Sequence, residues 1–111
     1  MENTMSEHIK KITEDNFKEA IKKGITLVDF YADWCGPCRM ITPHLEKVST
    51  ELQGQASIVK LDVDHAQGIT STYQVTSVPT MILFRDGDEV GRLVGVRDAK
   101  AIKDFILSAK K

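Results

Sequence analysis

Cys35 and Cys38 are the two cysteines of the 111-residue chain, and Gly36 and Pro37 separate them. Within a helix, proline is tolerated only in the first turn, so this spacing predicts a helix that starts at Cys35 with Cys38 one turn in. Residues three apart on a helix lie on one face with Cβ atoms roughly 5–6 Å apart, close to what a disulfide needs. We therefore expect the pair to form and open a disulfide with little backbone movement.

The two sulfurs are predicted to occupy different environments. The apolar residues that follow the pair recur at helical spacing: Ile41, Leu45, Val48 and Leu52. This apolar face extends back to Cys38, which places Cys38 toward the core and Cys35 at the exposed tip. Free N–H groups and the helix dipole favour a thiolate at the tip, and a thiolate of lowered pKa is the attacking species in disulfide exchange. We expect Cys35 to attack and Cys38 to resolve.

Asp29 is a carboxylic acid in the middle of an apolar strand predicted at residues 25–32. Such a strand is covered on both faces, and burial without a partner raises the pKa of a carboxyl group. An acid of raised pKa beside a dithiol could carry the proton of the buried thiol. The alternative is a structural acid paired with Lys60, which lies in the middle of the next predicted strand.

Two segments together resemble the active-site signature of the thioredoxin family. They are Val28-Asp29-Phe30-Tyr31-Ala32 and Trp34-Cys35-Gly36-Pro37-Cys38, and the second is highly specific. The resemblance covers nearly the whole chain. Tyr31 stands where many thioredoxins carry tryptophan, an aromatic exchange expected to affect fluorescence and local packing.

The resemblance implies an α/β thioredoxin fold, a central mixed five-stranded sheet flanked by four helices. It also implies that Asp29 lies behind Cys38 and aids its deprotonation, with Lys60 nearby. The sequence alone would make Pro79 the start of a strand. By the resemblance, Pro79 matches the cis-proline that faces the dithiol. The Val78 backbone would then be free to pair with an extended client segment. A client-docking surface is implied at Trp34, Gly36, Pro37, Val78, Pro79, Gly95 and Val96.

The remaining patterns predict the elements that position these residues. Residues 1–7 are expected to be a flexible N-terminus and residues 8–111 a single domain. Strands are expected near 9–12, 25–32, 56–63, 80–84 and 89–94, the last two joined by a turn at Asp86-Gly87. Helices are expected after a cap at Thr13 or Asp15, over 35–52 with a kink at Pro43, over 65–73, and after a cap at Asp98. Gly91 and Gly95 indicate a bulge or a close backbone approach. This order predicts a mixed sheet with helices on both faces.

Composition excludes several function classes. The chain has 15 basic and 16 acidic residues, a net charge of −1, which argues against nucleic acid or a membrane as partner. No apolar run approaches the roughly 18 residues of a membrane span, and no apolar signal core is found near the start, so we expect a cytoplasmic protein. Zinc is not expected, because the histidines, His8, His44 and His65, are scattered and should be solvated.

The resulting hypothesis is a general protein-disulfide reductase, expected to be a monomer. The resemblance implies re-reduction by an NADPH-dependent thioredoxin reductase, with NADPH and FAD in that partner, and clients such as reductases and peroxidases that carry disulfides. No cofactor is expected on this chain itself, since it has no glycine-rich phosphate loop. A glutaredoxin-like or oxidising enzyme is disfavoured by the Gly-Pro dipeptide. The alternative from another class is a non-catalytic binding or stabilising subunit that uses the same docking surface.

Overall fold

The computed structural model describes residues 9–110. The predictions for residues 1–7 and for His8 lie outside this range. Five strands are present: β1 Lys10–Ile12, β2 Ile25–Tyr31, β3 Ser57–Asp62, β4 Thr80–Arg85 and β5 Asp88–Val94. Four α-helices accompany them: α1 Phe17–Ile21, α2 Gly36–Glu51, α3 Gln67–Thr72 and α4 Ala99–Ser108.

The strands form one mixed sheet in the order β1-β3-β2-β4-β5. Strand β3 pairs in parallel with both β1 and β2, whereas β4 pairs antiparallel with β2 and β5. The predicted fold class, a mixed five-stranded sheet with four helices, is confirmed. Strand β2 lies in the middle of the sheet and is buried along residues 26–31, which is why its sequence is almost continuously apolar.

Helices cover both faces of the sheet, so the core has two parts. Helices α2 and α4 pack on one face, where Ile41, Leu45, Ile102 and Ile106 are fully buried. Helix α1 and the segment around α3 pack on the other face. There, the rings of Phe17, Tyr73 and Phe84 form a triad with centroids 5.4–5.6 Å apart. Side chains of β2 alternate between the two parts, and those of Asp29 and Tyr31 therefore share a face.

Two local predictions are corrected by the structure. Asn16, not Thr13 or Asp15, is the N-cap residue of helix α1. Its side chain makes no capping bond to the helix, and its Oδ1 instead accepts from the Thr13 N–H at 2.7 Å. The helix predicted over 65–73 is divided into a 3₁₀ turn, Val63–His65, and the shorter α3. The Asp62 side chain accepts from the Asp64 N–H, which starts a separate turn before the helix.

Several details of the β4–β5 hairpin match the prediction. Asp86 and Gly87 both have positive φ, 50° and 92°, as the two central residues of a type I′ turn require. The pairing skips Val90, since Gly91 lies opposite Leu83 and Glu89 opposite Phe84, so the expected bulge is present. Gly91 also permits close packing, because a Cβ there would lie 3.0 Å from the Phe105 ring.

Among residues 9–110, no helix combines the length and the apolar character that crossing a membrane requires.

Candidate active site

The cysteine pair sits where the central strand passes into the longest helix. Cys35 is the N-cap of α2, with extended backbone angles, and Pro37 occupies the first turn as predicted. Cys35 and Cys38 form a disulfide whose Cα atoms are 5.3 Å apart. The Cys38 N–H donates to the Cys35 Sγ at 3.1 Å. Cys35 Sγ therefore occupies the capping position, where a negative charge is favoured.

The predicted difference in exposure between the two cysteines is wrong. Each is 4% exposed, so Cys35 is as covered as Cys38. Cys35 packs in a small cluster with Tyr31 and Ala32, and Val78 lies against it. The Val78 carbonyl oxygen is 3.8 Å from the Cys35 Sγ. The covering comes from a loop more than 40 residues away, which helical spacing within α2 does not reveal.

Asp29 is buried in the middle of β2, with 3% of its surface exposed. Its Oδ1 has no hydrogen-bond partner within the described part of the chain. Burial raises the pKa of this carboxyl to about 7, and the positive charge of Lys60 opposes part of that rise. Lys60 lies opposite Asp29 in the β2–β3 register, but within residues 9–110 no ion pair joins them. The alternative interpretation, that Asp29 is a structural acid in a salt bridge with Lys60, is therefore wrong.

Asp29 and Cys38 line the same cavity. A cavity of about 150 Å³ is lined by Asp29, Cys38, Lys60 and Tyr31, among others. Thr42 and Arg39 of α2 also line it. A carboxyl group with a pKa near 7 that shares a cavity with a thiol can exchange a proton with it, directly or through a water molecule.

A second loop closes over the disulfide. The Val78–Pro79 peptide bond is cis, as the family resemblance implied. Pro79 is buried and Val78 is half-buried against the cysteine cluster. The Pro79 carbonyl accepts from the Gly95 N–H at 2.9 Å, and Gly95 has φ +95°, a conformation that favours glycine. This bond joins the cis-proline loop to the loop between β5 and α4.

These loops surround the disulfide with apolar groups. Trp34 is 69% exposed and Val96 38% exposed, and Pro37 is also at the surface. We call the set Trp34, Gly36, Pro37, Val78, Pro79, Gly95 and Val96 the docking surface. Residue types alone did not indicate a partner for Trp34, yet its Nε1 donates to the Asp64 Oδ2 at 2.9 Å. Asp64 lies in the 3₁₀ turn that the sequence did not predict.

Two of the three histidines lie within the described residues. His65 is exposed, as expected, with 79% of its side chain accessible. His44 is half-buried and accepts a structural hydrogen bond, contrary to that expectation. The His44 Nδ1 accepts from the Ala99 N–H at the start of α4, at 3.2 Å. The His65 Nδ1 lies 3.0 Å from the Asp62 Oδ2. Burial alone would raise the pKa of Asp62, but hydrogen bonds from His65 and the Asp64 N–H hold it below its usual value. Among residues 9–110, no group of three or more His, Cys, Asp or Glu side chains could hold a metal ion.

Comparison with known proteins agrees with this geometry. Residues 8–108 match the family model described as Thioredoxin. The thioredoxin of Chlamydia pneumoniae is 46% identical over 98 residues, which are 88% of this chain and 95% of that protein. The thioredoxin of Staphylococcus saprophyticus is 43% identical over 98 residues, 88% of this chain and 94% of that protein.

Among solved structures, a mutant thioredoxin from Halobacterium salinarum NRC-1 superimposes with a TM-score of 0.86 at 38% identity, covering 94% of this chain and 92% of that chain. Fold, cysteine pair and relatives agree: the chain belongs to the thioredoxin family and is a thiol–disulfide oxidoreductase.

Proposed function

We propose that this protein is a general protein-disulfide reductase. The Cys35 thiolate attacks one sulfur of a client disulfide and forms a mixed disulfide, releasing the other client sulfur as a thiolate. Cys38 then attacks the Cys35 sulfur. The client leaves as a dithiol, and the Cys35–Cys38 disulfide remains. The observation that carries this proposal is the position of that disulfide at the N-terminus of α2, with the Cys38 N–H donating to the Cys35 Sγ.

The different roles of the two cysteines follow from their positions in α2. Cys35 Sγ receives the Cys38 N–H and lies at the positive end of a 16-residue helix, and both features lower the pKa of a thiol. Cys38 lies inside the first turn and faces the cavity that contains Asp29. Its thiol becomes a nucleophile when a base takes its proton. Attack by Cys35 and resolution by Cys38 is therefore the favoured order.

Asp29 is the proposed base for Cys38. A carboxyl group with a pKa of about 7 is partly ionised at neutral pH, so it can accept a proton from the thiol and later release it. Lys60 opposes part of the effect of burial, which keeps this pKa close to neutrality. An ordinary carboxyl, with a pKa near 4, would be too weak a base for a thiol.

The docking surface is proposed to hold an extended client segment. Val78 presents its backbone beside the disulfide, and strand addition would let a client pair with it. Trp34, Pro37 and Val96 supply exposed apolar area around this position. Because the contact is mainly backbone and apolar area, it would accept many clients, including reductases and peroxidases that carry disulfides.

The cycle needs two electrons per turnover, so the oxidised chain must be re-reduced. We propose an NADPH-dependent thioredoxin reductase as the partner, with NADPH and FAD bound there. We further propose a monomeric cytoplasmic protein with one domain over residues 8–111, in keeping with the family match to residues 8–108.

A trapping experiment tests the order of attack. In Cys38→Ser, the mixed disulfide cannot be resolved, so we expect Cys35 to hold insulin or another client covalently after incubation. The matched variant Cys35→Ser should trap far less and should not reduce insulin. Equal trapping by both variants would contradict the assignment. If a cellular role survives in the double variant Cys35→Ser, Cys38→Ser, that role belongs to a binding subunit and not to a reductase.

A further inference from the structure

Tyr31, the last residue of β2, lies between two lysine side chains. The Lys60 Nζ is 5.1 Å from the centroid of the Tyr31 ring, over its face. The Lys11 side chain lies near the Tyr31 hydroxyl, and its positive charge opposes part of the rise that burial causes in the pKa of Tyr31. Tyr31 is 9% exposed and packs in the cluster that contains both cysteines. The ring is therefore constrained at its face and at its packed edge.

The sheet register explains this arrangement. Lys11, Lys60 and Asp29 lie opposite one another across β1, β3 and β2, so their side chains share one face of the sheet. Tyr31 is two residues beyond Asp29 and lies on the same face. The ring thus borders the Asp29–Lys60 pair, and all three side chains line the cavity behind Cys38.

We propose that Tyr31 is a positioning residue for the redox reaction: its ring face holds the Lys60 ammonium beside Asp29. Lys60 has a long, flexible side chain and no ion pair with Asp29 within residues 9–110, so its location depends on what it packs against. A cation over an aromatic face is a defined and favourable position. This inference rests on the proposed role of Asp29 as the base for Cys38.

Among the charged groups around Asp29, Lys60 is the one that changes the pKa of its carboxyl. Arg39 of α2 and Asp33 beyond β2 line the same cavity, as does Cys38 of α2. Lys11 extends toward the Tyr31 hydroxyl. Met81, opposite Asp29 on β4, is uncharged. Lys60 is the cation that opposes the effect of burial on Asp29. A ring that holds Lys60 therefore sets the pH at which Asp29 accepts a proton.

A simple packing role for Tyr31 predicts the opposite sign. If the ring only excludes water, its removal admits water to Asp29 and lowers the pKa of the carboxyl, because burial is what raises it. If the ring holds Lys60, its removal lets the ammonium move away, and the pKa of Asp29 rises. The direction of the shift separates the two roles.

The experiment follows the carboxyl carbon of Asp29 by NMR against pH in the oxidised protein. We expect Tyr31→Leu to raise the Asp29 midpoint by about half a pH unit or more, and Lys60→Met to raise it at least as much. Tyr31→Phe keeps the ring face and should stay close to the unchanged protein. In the Lys60→Met background, Tyr31→Leu should give no further rise. A lowered midpoint in Tyr31→Leu, or equal shifts in the Leu and Phe variants, would overturn the proposal.

A measurement on the unchanged protein covers the case in which Tyr31→Leu fails to fold. The protons next to the Lys60 Nζ should show an upfield ring-current shift in the folded protein. This shift should be absent in the unfolded chain. Ordinary random-coil shifts for these protons in the folded, unchanged protein would overturn the proposal. Neither measurement uses a client, so absent insulin reduction would reject the proposed function, whereas unchanged midpoints would reject only the role of Tyr31.

Discussion

At the scale of single residues, the proposed mechanism depends on a carboxyl group kept out of water. Asp29 could be identified from the sequence, because an acid inside an otherwise apolar strand must have either a partner or a raised pKa. The structure gives it a raised pKa and no hydrogen bond at Oδ1. The role of Tyr31 could not be identified in the same way. Its contact with Lys60 comes from the neighbouring strand β3, and local sequence spacing does not specify the register between strands.

The raised pKa of Asp29 has a predictable effect on stability. The folded state keeps its proton up to about pH 7, whereas the unfolded chain loses it near 3.9, so stability falls as pH rises between these values. We expect Asp29→Asn to remove this pH dependence and to increase the free energy of unfolding by about 2–4 kcal/mol at pH 8. Urea unfolding at pH 5 and pH 8 measures both effects.

The same variant should reduce insulin more slowly, because Cys38 loses its base. Asp88→Asn is the matched control, since Asp88 is exposed at the start of β5 and does not line the cavity that Asp29 and Cys38 share. That control should change neither stability nor rate. A variant Asp29→Asn that lost stability at pH 8 and kept the full rate would reject the proton-carrier role.

At the scale of secondary structure elements, both ends of α2 and the start of α4 were predicted to within a residue. Both helices have strong local signals, the first-turn Pro37 in α2 and the Asp98 cap in α4. The Cys35 sulfur caps α2, so the same atom caps the helix and takes part in the redox reaction. The short elements were predicted less well. Asn16, not Thr13 or Asp15, precedes α1, and Asp62 starts an unpredicted turn, because several side chains in each segment compete to bond the same backbone groups.

The cap of α4 can be tested by a single substitution. The Asp98 Oδ1 accepts from the Ala101 N–H at 2.9 Å, so Asp98→Ala leaves this N–H without its side-chain partner. We expect a loss of about 1 kcal/mol in the free energy of unfolding, measured by urea denaturation. Asp104→Ala is the control, because its pair with Lys100 is exposed on the same helix and should contribute less than the cap does. Equal losses in the two variants would show that the cap is not the cause.

At the scale of the whole molecule, function depends on loops that meet although they are far apart in sequence. The Cys35 turn, the cis-proline loop and the loop at Gly95 come together at one end of the sheet, joined by the Gly95–Pro79 hydrogen bond. The strand and helix order predicted a mixed sheet, but only the family resemblance pointed to this meeting of loops. Residue patterns report local structure, and the cover that Val78 places on Cys35 is a long-range contact that they do not contain.

A substitution in the docking surface is expected to weaken client binding more than it slows the reaction. Trp34→Ala removes exposed apolar area beside Cys35 without touching the disulfide, so we expect the KM for insulin to rise about tenfold with a smaller change in kcat. The control is Val90→Ala, an exposed apolar residue of β5 outside the docking surface, which should leave KM unchanged. A KM that moves equally in both variants would mean that clients do not dock at Trp34.

The central claim, that this chain donates electrons to disulfides, is tested most directly by the potential of the Cys35/Cys38 pair. Equilibration against glutathione and dithiothreitol buffers measures it. Thioredoxins have potentials of about −270 mV. The proposed function predicts a value well below the cytosolic glutathione poise. A value near that of protein disulfide isomerase, about −180 mV, would contradict it, because such a pair oxidises or rearranges its clients.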